Sequence, residues 1–226
     1  MNNTRVPQEK FFRELYEQHG YSPMALSSES LAHKALRFSK IAGIFEQDEN
    51  FSVHDVGMGF ADFADYIKNK FPNKKIEYSG SEILQEFVDA SSYKFSDCKF
   101  YCRDIAEKAP SETYDYVVMS GIFHQRRDSS IRDWEKFAEK ILFNSFKICK
   151  KGIAFNFISP FVDFYQPQVY YSNLPKWINY VNDNLSRFFI INHDYALFEY
   201  TVYVYKEAYM SSKYSQKEFK KYFHNR

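Results

Sequence analysis

Two hydrophobic periods divide the chain. Residues 8–19, QEKFFRELYEQH, place Phe11, Phe12, Leu15 and Tyr16 on one helical stripe that Gly20 stops. A loop through Tyr21-Ser22-Pro23 leads to a second helix of about 15 residues, with Leu31, Ala35, Phe38, Ile41 and Ala42 on its apolar face. Ser28 or Ser30 serves as its N-cap, and it ends near Phe45. The period then changes. Residues 51–56 form a short apolar strand that breaks at Gly57-Met58-Gly59-Phe60-Ala61, after which Phe63, Ala64, Tyr66 and Ile67 return at helical spacing.

Strands and helices alternate from there. KIEYS (75–79), KFYCR (99–103), YDYVVMS (114–120) and GIAFNFIS (152–159) read as strands, with helical patterns over 85–93 and 130–149 and a further helix over 176–185. This spacing predicts an α/β fold with a parallel, doubly wound sheet. The first two helices precede the first strand, so they cannot be crossovers and must pack over the sheet or cover its open crevice. RFFIIN (187–192) and EYTVYVYK (199–206) are joined by too short a link for a crossover and predict an antiparallel hairpin at the sheet edge. The expected organisation is one domain over 1–206, with a helical cap over 1–50 and a sheet core over 51–206. A polar, mildly basic tail follows over 207–226.

Composition narrows the partners. Among 226 residues, 30 basic and 29 acidic side chains leave a formal net charge of +1, which argues against a nucleic-acid partner and for a small acceptor. Aromatic residues make up 20 %, with 24 Phe and 19 Tyr, so any pocket wall is aromatic and able to stack on a planar or cationic ligand. Cys98, Cys102 and Cys149 cannot all pair and show no metal-ligand spacing, which fits a reducing cytoplasm and no metal site. The start MNNTRVPQEKFF lacks an apolar signal core, and no run of about 18 apolar residues occurs, so neither secretion nor a membrane span is expected.

The chemistry collects at predicted strand ends. The turn is not the pyrophosphate pattern, because G-x-G-x-x-G would need glycine where Asp62 stands. D-x-G-x-G-x-A, Asp55 to Ala61, instead puts a carboxylate beside backbone N–H groups, suiting a ligand with an ammonium or hydroxyls. Glu82, at the second strand's end, is placed to accept hydrogen bonds from a ribose diol. Asp104, at the third, can bond an exocyclic amine while Ile83 and Ile105 sandwich a purine. In an open parallel sheet such ends share one crevice.

VHDVGMGFADF, YSGSEI, CRDI, YDYVVMSGIF, GIAFNFIS and the closing HDYALFEYTVYVYK resemble class I S-adenosylmethionine-dependent methyltransferases over most of residues 28–206. More narrowly the chain is similar to a bacterial group of small methyltransferases with SGIF, AFNFIS and HDY before TVYVYK. The resemblance implies a Rossmann-like, seven-stranded, mostly parallel sheet with helices on both faces and an antiparallel last strand. It implies S-adenosylmethionine as cofactor and S-adenosylhomocysteine as product. Asp55 would face the cofactor's ammonium, Gly57, Met58, Gly59 and Ala61 would pass beneath it, Glu82 would hold the ribose, and Asp104 with Ile83 and Ile105 the adenine. Ser120 and Gly121 would line the sulfonium end, and Arg37 would either pair with the cofactor carboxylate or form a surface salt bridge. Met58 and Ser81 depart from the residue types frequent there. Ala61 replaces the last glycine, its added methyl fitting if φ is negative.

The transfer is an in-line displacement, so alignment dominates, and only a hydroxyl acceptor needs a base. Base candidates are His193 supported by Asp194, then His124. Tyr16, Tyr21, Phe161, Asp163 and Tyr165 are expected to shape an acceptor pocket. The leading expectation is O-methylation of a sugar or secondary-metabolite-like molecule by a monomer or homodimer, with N-methylation beside it. A non-catalytic cofactor- or nucleoside-binding module acting through a partner, and an RNA methyltransferase, are the alternatives.

Overall fold

The computed structural model describes residues 4–26 and 30–223. Seven strands form one sheet: β1 (Asn50–Val56), β2 (Lys75–Glu82), β3 (Lys99–Cys102), β4 (Tyr114–Met119), β5 (Cys149–Ile158), β6 (Phe189–Asn192) and β7 (Glu199–Tyr205). Their order is β3-β2-β1-β4-β5-β7-β6. The first five run parallel, and β7 lies antiparallel between β5 and β6. The order turns back between β1 and β4, and there the crevice opens at the carboxyl ends.

Seven α-helices complete the described residues: α1 (Arg5–His19), α2 (Leu31–Ala42), α3 (Asp62–Lys70), α4 (Gln85–Lys94), α5 (Ile131–Ile148), α6 (Leu174–Asn184) and α7 (Glu207–Lys213). Strand β4 alternates between two cores. Tyr116 and Val118 face the Ile41, Phe45 and Phe63 cluster of α2 and α3. Val117 and Met119 face the cluster built on Trp134, Leu142 and Trp177 from α5 and α6. Burial on both faces is why these strands read as nearly unbroken apolar runs.

Helix α1 begins three residues before the expected position 8, because Pro7 sits in the first turn, where its missing N–H costs nothing. Ser30 caps α2, its Oγ accepting from His33 N at 3.3 Å; the alternative cap, Ser28, lies outside the described residues. The helix tightens to a 3₁₀ turn over Gly43–Phe45. Strand β2 runs on past Ser79 through Gly80-Ser81-Glu82, because β1 and β3 pair with it on both sides. Strand β5 starts at Cys149, taken as the end of the preceding helix, because Cys149 pairs with Tyr114.

The N-terminal helix docks beside the crevice through a third apolar cluster of Ala25, Phe60, Leu84 and Phe87, with Phe12 and Tyr16 packed on it. Polar contacts fasten α1 as well: Gln8 Nε2 donates to Gln125 O at 2.7 Å, and Arg13 pairs with Glu86. At the other end of the chain, α7 sets the Tyr209 hydroxyl 3.4 Å from that of Tyr116.

Candidate active site

A cavity of about 230 Å³ opens at the carboxyl ends of β1, β2, β3 and β4 and runs under α1 and α2. Asp55, Glu82 and Asp104 all line it, from the ends of three successive strands. Gly57, Met58, Gly59, Ile83, Ile105, Ser120, Gly121, Arg37 and His124 line it too. Of the expected cofactor residues only Ala61 stays out. It is fully buried in the α2–α3 core, and its φ is 55°, left-handed where a negative angle was expected. The chain must turn sharply there to start α3, so the methyl is tolerated at a conformational cost of about 1–2 kcal/mol.

The turn is built around close approaches. Gly57 has φ 70°, and a Cβ there would drive into Ile122 Cγ2. Gly57→Ala should therefore cost about 2 kcal/mol, from the left-handed backbone alone, read as a fall in the urea midpoint. An unchanged midpoint would show that the turn can relax. Gly80 explains Met58: a Cβ at 80 would collide with the Met58 sulfur, so the bulkier residue in the turn sits where β2 has no side chain.

Asp55 is 2 % exposed. Tyr78 donates to its Oδ2 at 2.8 Å, and its Oδ1 is buried with no hydrogen-bond partner among the described residues. Burial pushes its carboxyl up to about 7, with Tyr78 opposing and Glu82 adding to the rise. Glu82 accepts from Ile83 N at 2.7 Å and Gly59 N at 3.1 Å. Burial raises its carboxyl, and these backbone donors limit the rise. Asp104 accepts from Ala106 N at 2.7 Å and is likewise raised by burial.

A second polar group closes the cavity on the β4–β5–β7 side. Glu199, 6 % exposed at the start of β7, takes Arg37 Nε at 2.9 Å on Oε2 and Arg37 Nη2 on Oε1. Asn156 of β5 donates to Glu199 Oε2 at 2.6 Å and lies 3.0 Å from His124 Nε2, while accepting from Gly121 N at 2.8 Å. Burial pushes Glu199 up, but His124, Arg37 and Asn156 together hold it below its ordinary value. Burial lowers His124 to about 4, so its imidazole is neutral at pH 7. Arg37 thus has a buried carboxylate partner, a third possibility beside the two expected.

Sequence reasoning passed over Glu199 and Asn156, which sit inside motifs read only as strand. Their signal was a polar residue in the middle of AFNFIS and an acid opening an otherwise apolar strand. Lys34 was passed over as well; it lines the cavity and pairs with Asp62 at 2.6 Å.

Other expected site residues stand apart. His193 and Asp194 do not line the cavity: Asp194 is exposed and pairs with Lys40 at 2.8 Å, and the His193 ring lies 6.1 Å from that of Phe161. Strands β5 and β7 separate β6 from the switch point, which carries the hairpin tip to the sheet's edge. The rings of Tyr16 and Tyr21 pack against Phe60 rather than lining the cavity. Phe161, Asp163 and Tyr165 are exposed on the 160–171 loop, whose Tyr170 N–H donates to His124 O at 2.8 Å.

No family model matches the chain. A candidate methyltransferase of Mycobacterium tuberculosis is 28 % identical over 163 residues, 70 % of this chain and 95 % of the relative. Magnesium protoporphyrin IX methyltransferase of Synechocystis PCC 6803, solved with bound S-adenosylmethionine, matches at TM-score 0.61 and 12 % identity, over 91 % of this chain and 98 % of that one. The chain has the fold of class I S-adenosylmethionine-dependent methyltransferases. Human N-acetylserotonin methyltransferase, in complex with the same cofactor, matches this chain at TM-score 0.60 and 17 % identity, over 89 % and 60 % of the two chains.

The cavity fits S-adenosylmethionine on its own terms. Asp55 Oδ1 is a buried acceptor lacking a donor, and an ammonium supplies one. Glu82 uses its backbone donors while keeping lone pairs free for hydroxyls, since an ionised carboxylate has about four. Among the described residues no helix is long and apolar enough to cross a membrane.

Proposed function

We propose that this methyltransferase methylates an oxygen of a small-molecule acceptor, with the cofactor held by residues of the β1–β4 crevice. The convergence of Asp55, Glu82 and Asp104 on one cavity carries the cofactor assignment. In this reading Asp55 takes the ammonium, Glu82 the ribose diol, and Asp104 the adenine amine between Ile83 and Ile105. Ser120 and Gly121 flank the sulfonium end, and Gly57 to Gly59 approach through backbone. When bound, the cofactor supplies an electrophilic methyl group on a sulfonium. The chain's own part is to orient the acceptor atom in line with that methyl and to keep water out.

Arg37 and His124 face the acceptor side, with Phe12 and Phe137 as aromatic walls. Phe161, Asp163 and Tyr165 are read as an outer rim that touches a larger acceptor, through the loop that holds His124. The near-neutral charge favours such a molecule over a polyanion. The chain is read as one catalytic unit over 1–206 with 207–226 appended, working in a reducing cytoplasm, as three free cysteines support.

Isothermal titration tests the cofactor half directly. S-Adenosylmethionine and S-adenosylhomocysteine are each expected to bind with one site at micromolar Kd, or about −8 kcal/mol. Absence of binding by both would remove the reading.

A further inference from the structure

Asn156 decides which proton His124 carries. Gly121 N–H donates to Asn156 Oδ1, so that atom is the amide's acceptor and Nδ2 has two protons to give. One goes to Glu199 Oε2 at 2.6 Å and the other to His124 Nε2 at 3.0 Å. Nε2 must accept. The single ring proton of a neutral imidazole is then on Nδ1. Nδ1 lies 4.0 Å from Glu199 Oε1, beyond hydrogen-bond reach, and has no hydrogen-bond partner among the described residues. His124 itself lines the cavity.

We propose that Asn156 is a positioning residue that holds His124 as the neutral Nδ1–H tautomer, so that His124 offers a hydrogen bond into the cavity and takes no proton from the acceptor. The inference rests on reading this cavity as the place of methyl transfer. Its lone pair occupied by Asn156, His124 cannot serve as the general base that sequence reasoning considered. Glu199 and Arg37, the charged groups facing the ring, are bound to each other and offer no free base either. The acceptor atom therefore forms its bond to the methyl carbon with a lone pair already free, while the carbon–sulfur bond breaks and its electron pair stays on sulfur. An oxygen that is already ionised fits such a site, and an aliphatic alcohol does not.

The tautomer can be read without cofactor or acceptor. In the ¹⁵N-labelled full chain at pH 7, long-range proton–nitrogen correlation, assigned by the signal lost in His124→Gln, is expected to show a protonated Nδ1 and a bare Nε2. That pattern should persist down to about pH 5, given a value near 4 for the ring. A protonated Nε2, a fast mixture of tautomers, or titration near 6.5 would overturn the proposal. Asn156→Ala is expected to release the ring into a mixture; a folded variant that keeps the pure Nδ1–H form would also overturn it. Should that variant not fold, the scalar coupling across the Asn156 Nδ2 to His124 Nε2 hydrogen bond decides the matter in the parent chain, its presence supporting the proposal and its absence refuting it. Cofactor titration of the same sample tests the reading of the cavity separately.

Discussion

Asp55→Asn is expected to yield a protein that is more stable than its parent at pH 8 and binds the cofactor about 100-fold more weakly. The Asp55 carboxyl is buried, Tyr78 satisfies one of its oxygens, and the other has no partner among the described residues. With a folded value near 7 against 3.8, the folded chain holds this proton more tightly than the unfolded one does. The resulting stabilisation is complete below 3.8 and is lost as pH rises through 7. At 1.36 kcal/mol per unit the span is about 4 kcal/mol.

Asparagine removes the titration, so the gap between variant and parent should widen by about 2 kcal/mol in favour of the variant between pH 5.5 and pH 8. Urea midpoints at the two pH values measure it, and a gap that does not change with pH would show that Asp55 is not held protonated. In cofactor titration the ammonium would meet an amide in place of a carboxylate. Loss of a charge-assisted contact of about 3 kcal/mol weakens binding by about 100-fold. For the parent, the affinity for S-adenosylhomocysteine should fall about tenfold per pH unit below 7 and level off above it, because the ammonium must displace the Asp55 proton.

The second large effect belongs to Glu199. Glu199→Ala leaves the Arg37 guanidinium and an Asn156 N–H without their acceptor in a largely buried place, and should cost about 3–5 kcal/mol. Arg37→Met alone strands the carboxylate instead. Changing both removes the pair together, so a double-mutant cycle should give a coupling of about 2–3 kcal/mol. Additive losses in that cycle would mean that the pair contributes nothing to stability beyond its separate packing. Acid should erase the effect, since a carboxyl held below 4.5 contributes above that value and loses its contribution as pH falls through its folded value.

Residues such as Asp55, Glu82 and Asp104 were legible because each ends a strand, and a parallel sheet delivers all such ends to the same rim. The closing hairpin was legible for a similar reason, its connection being too short for a crossover. The close packing at Gly80 was not legible, because a lone glycine after a short apolar run gives no sign that Met58 needs its empty face. The preference for His193 rested on the hairpin tip sharing the side of the carboxyl end of β5; that β7 inserts between β5 and β6 and that His193 does not line the cavity could be seen only in the structure.

By itself, then, the order of apolar periods and turns determined the α/β class, the parallel run of strands and the carboxylates at their ends, because those are local patterns repeated along the chain. Tertiary structure alone decided that Arg37, Asn156, His124 and Glu199 form one buried group, since they come from α2, β5, the link after β4, and β7. It also decided that Asp55 lacks a second hydrogen-bond partner among the described residues and that burial pushes its carboxyl up to about 7. Hydrogen-bond completion and desolvation depend on which segments meet, and segments up to 162 residues apart leave no periodic trace of their meeting in the sequence.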